Sequence, residues 1–209
     1  MSVSGETVPP AYFEQLYRGD PDPWRFESSA YERAKYLTTL AALPRRRYRR
    51  ACEIGCANGV LTRQLAARCD DLLAIDVADT ALARARARTA DQPWVRCERL
   101  AVPEAFPTGP FDLVLLSEVG YYLASEALSD LRARLAAALM PRGDLVLVHW
   151  TPRSDDRALT GDAVHTILLA ADGPFRRIAG GRAPGYRLDV LRLRASPQTQ
   201  ELVTARSPR

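Results

Sequence analysis

A doubly wound α/β domain with a mostly parallel sheet is the fold class this sequence predicts, and three observations predict it. Ala51-Cys-Glu-Ile-Gly-Cys-Ala-Asn-Gly59 reads as a buried strand, a tight glycine turn and a helix start. Leu72-Leu-Ala-Ile-Asp76 and Phe111-Asp-Leu-Val-Leu-Leu-Ser117 are nearly continuous apolar runs, as strands covered on both faces must be. Helical stretches separate most of the predicted strands, and such alternation closes into a parallel sheet through right-handed crossovers.

The elements follow in order. Residues 1–9 show no periodic pattern and read as unstructured. Tyr12, Phe13, Leu16 and Tyr17 form an i, i+1, i+4, i+5 stripe, which predicts a short amphipathic helix. Asp20-Pro-Asp-Pro-Trp24 then breaks the chain, because successive prolines cannot continue a helix. A second helix is expected from Ser29 to about Leu43, capped by Ser28 or Ser29, with Glu32 near the capping-box position. Arg45-Arg-Arg-Tyr-Arg-Arg50 reads as a solvated basic loop rather than a nucleic-acid patch, since a helix C-terminus favours cations. Strands are expected at 50–54, 72–76, 94–98, 111–117 and 143–149, with helices at 58–69, 79–90 and 125–140. Beyond His149, a loop (151–160) and a helix (161–171) lead to strands near 174–179 and 185–194. Gly180, Gly181, Pro184 and Gly185 cluster between those last strands, a hairpin signal. Residues 195–209 are polar and expected to be a disordered tail.

Composition narrows the classes. A chain of 209 residues suits one domain, and 47% hydrophobic with 26% charged residues is ordinary for a soluble globular protein. No run of eighteen apolar residues exists to span a membrane, and the N-terminus lacks the basic and apolar parts of a signal peptide. A cytoplasmic location is the expectation. The four cysteines, at 52, 56, 69 and 97, have no paired metal spacing and read as buried reduced thiols. A net charge of +4 is too small to argue for nucleic acid. No metal site is expected.

The glycine turn discriminates between cofactors. It is a G-x-A-x-G turn preceded by Glu53, with Gly55, Ala57 and Gly59. A dinucleotide fingerprint would need glycines at 55, 57 and 60, where this chain has Gly55, Ala57 and Val60. A pyrophosphate needs bare N–H groups at a helix N-terminus, and Ala57 obstructs that approach, which disfavours a nicotinamide reductase. A cofactor without phosphates, such as S-adenosylmethionine (SAM), fits better, with Asp76 waiting at the end of the next strand.

The glycine turn, Asp76, the Phe111-to-Ser117 strand and Leu139-Met-Pro-Arg-Gly-Asp-Leu-Val-Leu resemble class I SAM-dependent methyltransferases over residues 50–194. Phe13-Glu-Gln-Leu-Tyr17, Asp22-Pro-Trp24, Tyr31-Glu-Arg-Ala-Lys-Tyr36, Ser117-Glu-Val-Gly-Tyr-Tyr-Leu123 and Tyr186-Arg-Leu-Asp189 narrow the resemblance to the nodulation protein S (NodS) group. Named members of that group N-methylate a free amino sugar on a chitin oligosaccharide. The resemblance implies a Rossmann-like, seven-stranded, mostly parallel sheet with a C-terminal antiparallel hairpin and helices on both faces. It also implies residues 1–45 as a helical cap over the cofactor and 46–194 as the SAM-binding domain.

In an open α/β sheet the ligand lies outside the carboxyl ends of the strands, which selects the candidates. For SAM these are Glu53, Gly55, Ala57, Gly59, Asp76, Val77, Leu100 and Ser117. Gly55 lets the backbone pass close to the methionine part of SAM. Asp76 either accepts from both ribose hydroxyls or caps the following helix, work that Asp79 or Thr80 can also do. Val77 would lie against adenine, and Leu100 would offer a backbone N–H where many relatives place an aspartate. Glu118 is expected to hold an amine or hydroxyl acceptor in line and accept its proton, or else to cap the next helix. Tyr121, Tyr122, His149, Trp150 and Tyr186 are candidate acceptor contacts, with core packing as the alternative for both residues of the Tyr121–Tyr122 pair and for His149. Asp162 precedes His165 by three residues on a predicted helix and could orient its imidazole as a proton acceptor. Tyr31, Lys35 and Tyr36 either touch SAM or pack against the sheet edge.

The function expected is methyl transfer from SAM to a small polar acceptor, an amine such as an amino sugar, by a monomer or homodimer. An O-methyltransferase of a secondary metabolite and a non-catalytic SAM-binding partner protein are the alternatives.

Overall fold

Among the described residues seven strands, the first five of them parallel, form one sheet. The computed structural model describes residues 5–194. In chain order they form α1 (Pro10–Gly19), α2 (Ala30–Ala41), β1 (Ala51–Ile54), α3 (Val60–Leu65), β2 (Leu72–Asp76), α4 (Asp79–Arg88) and β3 (Val95–Arg99). There follow β4 (Phe111–Ser117), α5 (Ser125–Ala138), β5 (Leu139–Trp150), α6 (Gly161–Leu168), β6 (Phe175–Ala183) and β7 (Tyr186–Leu193). Single 3₁₀ turns occupy Ala66–Arg68 and Gly120–Tyr122. The order across the sheet is β3-β2-β1-β4-β5-β7-β6, and the hairpin partner β7 runs antiparallel to both β5 and β6. The expected tail at 195–209 lies outside the described residues.

Continuous apolar sequence explains the centre of the sheet. All residues of β1 and β4 are buried, as strands covered on both sides require. On one face Ile54, Leu116 and Leu147 pack with Leu128, Leu131 and Leu135 of α5 and with Val164 and Leu168 of α6. On the other, Ala51, Leu113, Leu115 and Val146 pack with Tyr36 of α2 and with Leu61 and Leu65 of α3. The order reverses between β1 and β4, and that reversal opens a crevice at the carboxyl ends of these strands.

Several boundaries differ from the sequence reading. Strand β5 starts at Leu139 rather than 143, because α5 runs directly into it. The pairing with β4 slips between Phe111 and Leu113, and Arg142 takes a φ of +65° in the bulged stretch. Strand β6 extends through Gly180 and Gly181, so the hairpin turn shrinks to Pro184 and Gly185. Gly180 has a φ of +125°, and a Cβ there would lie 2.4 Å from the Leu188 carbonyl. The helix expected over 58–69 is an α-helix that tightens into the first 3₁₀ turn. Helices α4 and α6 end at Arg88 and Leu168, short of the expected 90 and 171.

Residues 5–9 are tied down rather than unstructured: the Val8 N–H donates to the Tyr122 carbonyl, and Thr7 Oγ1 accepts from the Ala124 N–H. The arginine run is a solvated loop, with Arg46, Arg47 and Arg49 exposed, and three of its arginines also pair with carboxylates. Arg45 lies 3.4 Å from Asp144, Arg50 lies 3.6 Å from Asp71, and Arg47 pairs with Asp70. Within the run Tyr48 is fully buried and donates to Asp144 Oδ2 at 3.0 Å. The cysteines are all free thiols, three buried and Cys97 half-buried. Among the described residues no helix is long and apolar enough to cross a membrane.

Gly59 shows how tightly the first turn is built. It precedes α3 at a φ of +80°, and a Cβ would lie 2.7 Å from the Ala85 Cα of α4. Gly59→Ala should therefore lower unfolding free energy by about 2–4 kcal/mol, combining left-handed strain with overpacking. Urea denaturation checks this; a loss under about 0.5 kcal/mol would contradict the close approach of α3 and α4.

Candidate active site

One cavity of about 470 Å³ opens at the carboxyl ends of β1, β2, β4 and β5, with residues of α1 and α2 on its other side. Its floor is the glycine turn. The N–H groups of Gly55 and Cys56 donate to the Ile75 carbonyl at 2.9 and 3.0 Å, continuing the parallel ladder. The Ala57 N–H donates to Asp76 Oδ2 at 2.9 Å, and the Ala78 N–H to Asp76 Oδ1 at 3.0 Å. Asp76 thus stitches two turns together while its side chain lines the cavity. Burial raises its pKa, and the backbone N–H bonds oppose that rise.

Gly55 is required for a reason beyond ligand approach: at a φ of +84° a Cβ would lie 2.2 Å from Val119 Cγ2. The two strand-end turns are pressed together there. Neither Asp79 nor Thr80 caps α4. Glu14, reaching across from α1, accepts from the Thr80 N–H at 3.2 Å and from its hydroxyl at 2.6 Å. Val77, Leu100 and Ser117 are on the cavity wall. The Leu100 N–H, expected to meet adenine, donates instead to the Asp76 carbonyl at 3.1 Å. The ladder between β2 and β3 simply continues one step further.

Glu53 and Gly59 stand outside the main cavity. Glu53 is buried under the turn, lining a small void of about 30 Å³ with Asn58, and burial pushes its carboxyl up to about 7. Asn58 donates to Asp22 and to Glu27 at 3.1 and 3.3 Å. Asp22 also accepts from the Phe26 N–H at 2.8 Å. The Asp22-Pro-Trp24 word is therefore a folded loop fastened to the glycine turn, and it sets Trp24 and Phe26, stacked 5.7 Å apart, on the cavity wall.

The opposite wall is organised by Glu118, at a φ of +59°. Its Oε1 accepts from Lys35 Nζ at 2.5 Å, and Oε2 accepts from the Tyr121 hydroxyl and, at 3.0 Å, from the Trp150 N–H. Lys35 also donates to Glu32 at 3.0 Å. Burial works against the lysine charge, but Glu118 and Glu32 outweigh it and the pKa is raised. Burial, then Glu118, pushes the Tyr121 phenol far up, so it stays a donor. Tyr121, Tyr122 and Trp150 all line the cavity, as do Tyr31 and Lys35, whereas Tyr36 lies behind in the core.

The histidines are elsewhere. His149 and His165 are both fully buried and neither lines the cavity. The Gly120 N–H donates to His149 Nε2 at 3.1 Å, His149 Nδ1 meets His165 Nε2 at 3.2 Å, and His165 Nδ1 meets Asp189 Oδ2 at 2.7 Å. Asp162 does not orient His165. It is a surface carboxylate paired with Arg182 at 2.5 Å and Arg187 at 3.6 Å. Buried on the neighbouring strand β7, Asp189 captures the imidazole because it has the shorter reach. Tyr186 likewise faces inward, packing edge-on against Tyr31 at 6.2 Å, and does not line the cavity.

Residues 13–163 match the family model of Nodulation protein S (NodS). The chain belongs to the NodS family. Nodulation protein S of Bradyrhizobium diazoefficiens is 38% identical over 111 residues, covering 49% of this chain and 49% of that one. The Rhizobium tropici protein is 34% identical over 132 residues, covering 60% and 53%. The chain spans about half the length of the curated NodS relatives it matches. The crystal structure of N-methyltransferase NodS from Bradyrhizobium japonicum WM9 with S-adenosyl-L-homocysteine shares the fold, with a TM-score of 0.79 at 24% identity over 89% of this chain and 99% of that one. A provisionally assigned methyltransferase from Pseudomonas syringae is 41% identical with a TM-score of 0.69, over 79% and 100%.

In this NodS-family chain the buried histidine row has only one consistent proton arrangement. Gly120 N–H is a donor, so His149 Nε2 must accept and the proton sits on Nδ1. That proton faces His165 Nε2, which must accept, leaving His165 Nδ1–H for Asp189. Burial lowers both imidazole pKa values, His149 far below 6.5. Their neutral forms therefore contribute stability that is complete above about pH 6.5 and is lost as pH falls. Glu53 acts with the opposite sign: its carboxyl, raised to about 7, favours folding below that pH. With two histidines in the chain, nitrogen NMR resolves each one. Both should carry Nδ1–H and stay neutral at about pH 6.5, where a free imidazole is half protonated. A half-charged ring, or Nε2–H on either, would contradict the row.

Proposed function

We propose that this chain is a SAM-dependent methyltransferase that moves a methyl group to a small polar acceptor, an amine of the amino-sugar kind. The observation that carries the reading is that Asp76 and Glu118 open onto one cavity at the sheet's switch point. In this reading the chain works in the bacterial cytoplasm, as a monomer or homodimer.

The residues present fit the cofactor. Each Asp76 carboxylate oxygen has one backbone bond and keeps a lone pair, which suits the paired hydroxyls of a ribose. Val77, Leu100 and Val102 give an apolar slot for a purine. A pyrophosphate fits poorly, because Gly55, Cys56 and Ala57 have all given their N–H groups to the protein. When bound, SAM supplies a sulfonium methyl, to which the amine lone pair bonds as the carbon–sulfur bond breaks, leaving S-adenosylhomocysteine.

Alignment is the protein's main task, and positioning can supply about 7–11 kcal/mol. Glu118 is suited to fix an acceptor N–H, since its two oxygens are already held by Lys35, Tyr121 and Trp150. Its charge is balanced by Lys35, and if it takes the amine proton Lys35 keeps Glu32 as a counter-ion. N-methylation, the activity named for the Bradyrhizobium japonicum NodS structure, favours an amine over a hydroxyl acceptor.

Asp76→Asn should weaken SAM binding at least about tenfold in calorimetric titration, the loss of one charge-assisted pair. Unchanged affinity, or NAD binding to the unmodified protein with no SAM heat, would sink the reading. With labelled SAM, glucosamine and deacetylated chitin oligosaccharides should accept methyl while phenols do not. Glu118→Gln should lower kcat at least about tenfold with the SAM dissociation constant within about twofold. Transfer to hydroxyls alone would refute an amine acceptor.

A further inference from the structure

The loop between β5 and α6 returns Arg157 to the cavity. Its guanidinium carbon lies 3.9 Å from the centre of the Tyr121 ring and 4.6 Å from the Trp150 ring. The side chain is 8% exposed, and it lines the cavity. Nε and Nη1 are buried with no hydrogen-bond acceptor among the described residues. Asp156 stands 3.9 Å from Nε, beyond hydrogen-bond range, and its oxygens already accept from the hydroxyls of Ser154 and Tyr12. The cavity's other cation, Lys35, touches two carboxylates.

Aromatic faces stabilise a cation, but they offer nothing to the in-plane N–H groups of a guanidinium. Those groups form a planar fork whose natural partner is a carboxylate or phosphate. Burying such a fork without an acceptor is unfavourable, so a ligand oxyanion that reaches it gains more than it would from an exposed arginine. We propose that Arg157 is an oxyanion subsite: the methyl acceptor carries a carboxylate or phosphate group besides its nucleophile.

Arg157 and Glu118 share their neighbours. The Tyr121 hydroxyl and the Trp150 N–H bond to Glu118, and the rings of the same two residues carry the guanidinium. One cavity wall therefore presents a carboxylate and a guanidinium about one aromatic ring apart. That pairing complements an amine and an oxyanion within one small molecule, whereas a neutral sugar offers the guanidinium hydroxyl acceptors but no counter-charge. The inference rests on reading this cavity as a methyltransferase site.

Calorimetry on protein saturated with S-adenosylhomocysteine tests it, using glucosamine, phosphorylated glucosamine and glucosaminic acid as probes. At least one anionic probe should bind at least about tenfold tighter than glucosamine, and which one separates phosphate from carboxylate. Arg157→Gln should erase the difference while S-adenosylhomocysteine affinity stays within about twofold, and Arg157→Lys should restore part of it. Equal affinity for charged and neutral probes would overturn the proposal. So would an Arg157→Gln loss of about tenfold in S-adenosylhomocysteine affinity, which would assign the guanidinium to the cofactor. Failure of the unmodified protein to bind S-adenosylhomocysteine would refute the methyltransferase reading instead, and the same titrations without it still decide the subsite.

Discussion

The ion pair between Lys35 and Glu118 is the contact on which the site's architecture turns. It joins the N-terminal helix α2 to the end of β4, and Glu118 extends the joint to β5 through the Trp150 N–H. Lys35 is almost fully buried and also pairs with Glu32, so loss of Glu118 leaves it one counter-ion, whereas loss of Lys35 would leave two carboxylates without their cation, at a typical cost of about 3–5 kcal/mol. The pair also explains how Glu118 tolerates a left-handed backbone: three hydrogen bonds hold the carboxylate and the chain follows. Helix α2 and the sheet are therefore joined at the cavity.

A second constraint is the distribution of backbone donors. The glycine turn looks like an anion cradle, yet its first three N–H groups are engaged by Ile75 and Asp76. What remains exposed at the floor is acceptor character. Such a floor favours hydroxyls and ammonium groups and disfavours phosphates, and this follows from hydrogen-bond accounting alone.

Much of the fold was legible because apolar runs such as Leu72–Ile75 and Phe111–Leu116 leave no alternative to buried strands. The candidates Asp76 and Glu118 were legible for a related reason, since a ligand crevice follows from strand ends. Boundaries failed where local signals competed with tertiary ones. Gly180 and Gly181 read as turn residues, but Gly180 is there to let β6 pass close over the Leu188 carbonyl. The Asp162–His165 spacing was correct helix geometry and still misleading, because Asp189 lies nearer in space. Lys35 could be read only as touching SAM or packing at the sheet edge; its ion-pair partner Glu118 is 83 positions away. Arg157 sits in a loop with no periodicity, and nothing in its neighbours' identities marks it.

The row from Gly120 through His149 and His165 ends on Asp189, whose other partners, Arg177 and Arg187, reach solvent. Its direction is fixed at one end by a peptide and at the other by a carboxylate. The outer hairpin is thus not a neutral scaffold free to drift. A change at its rim that alters the charge of Asp189 would re-address two protons in series and be felt at the Gly120 N–H, two residues beyond Glu118. Evolution of the sheet edge and evolution of the cavity are, in this chain, the same problem.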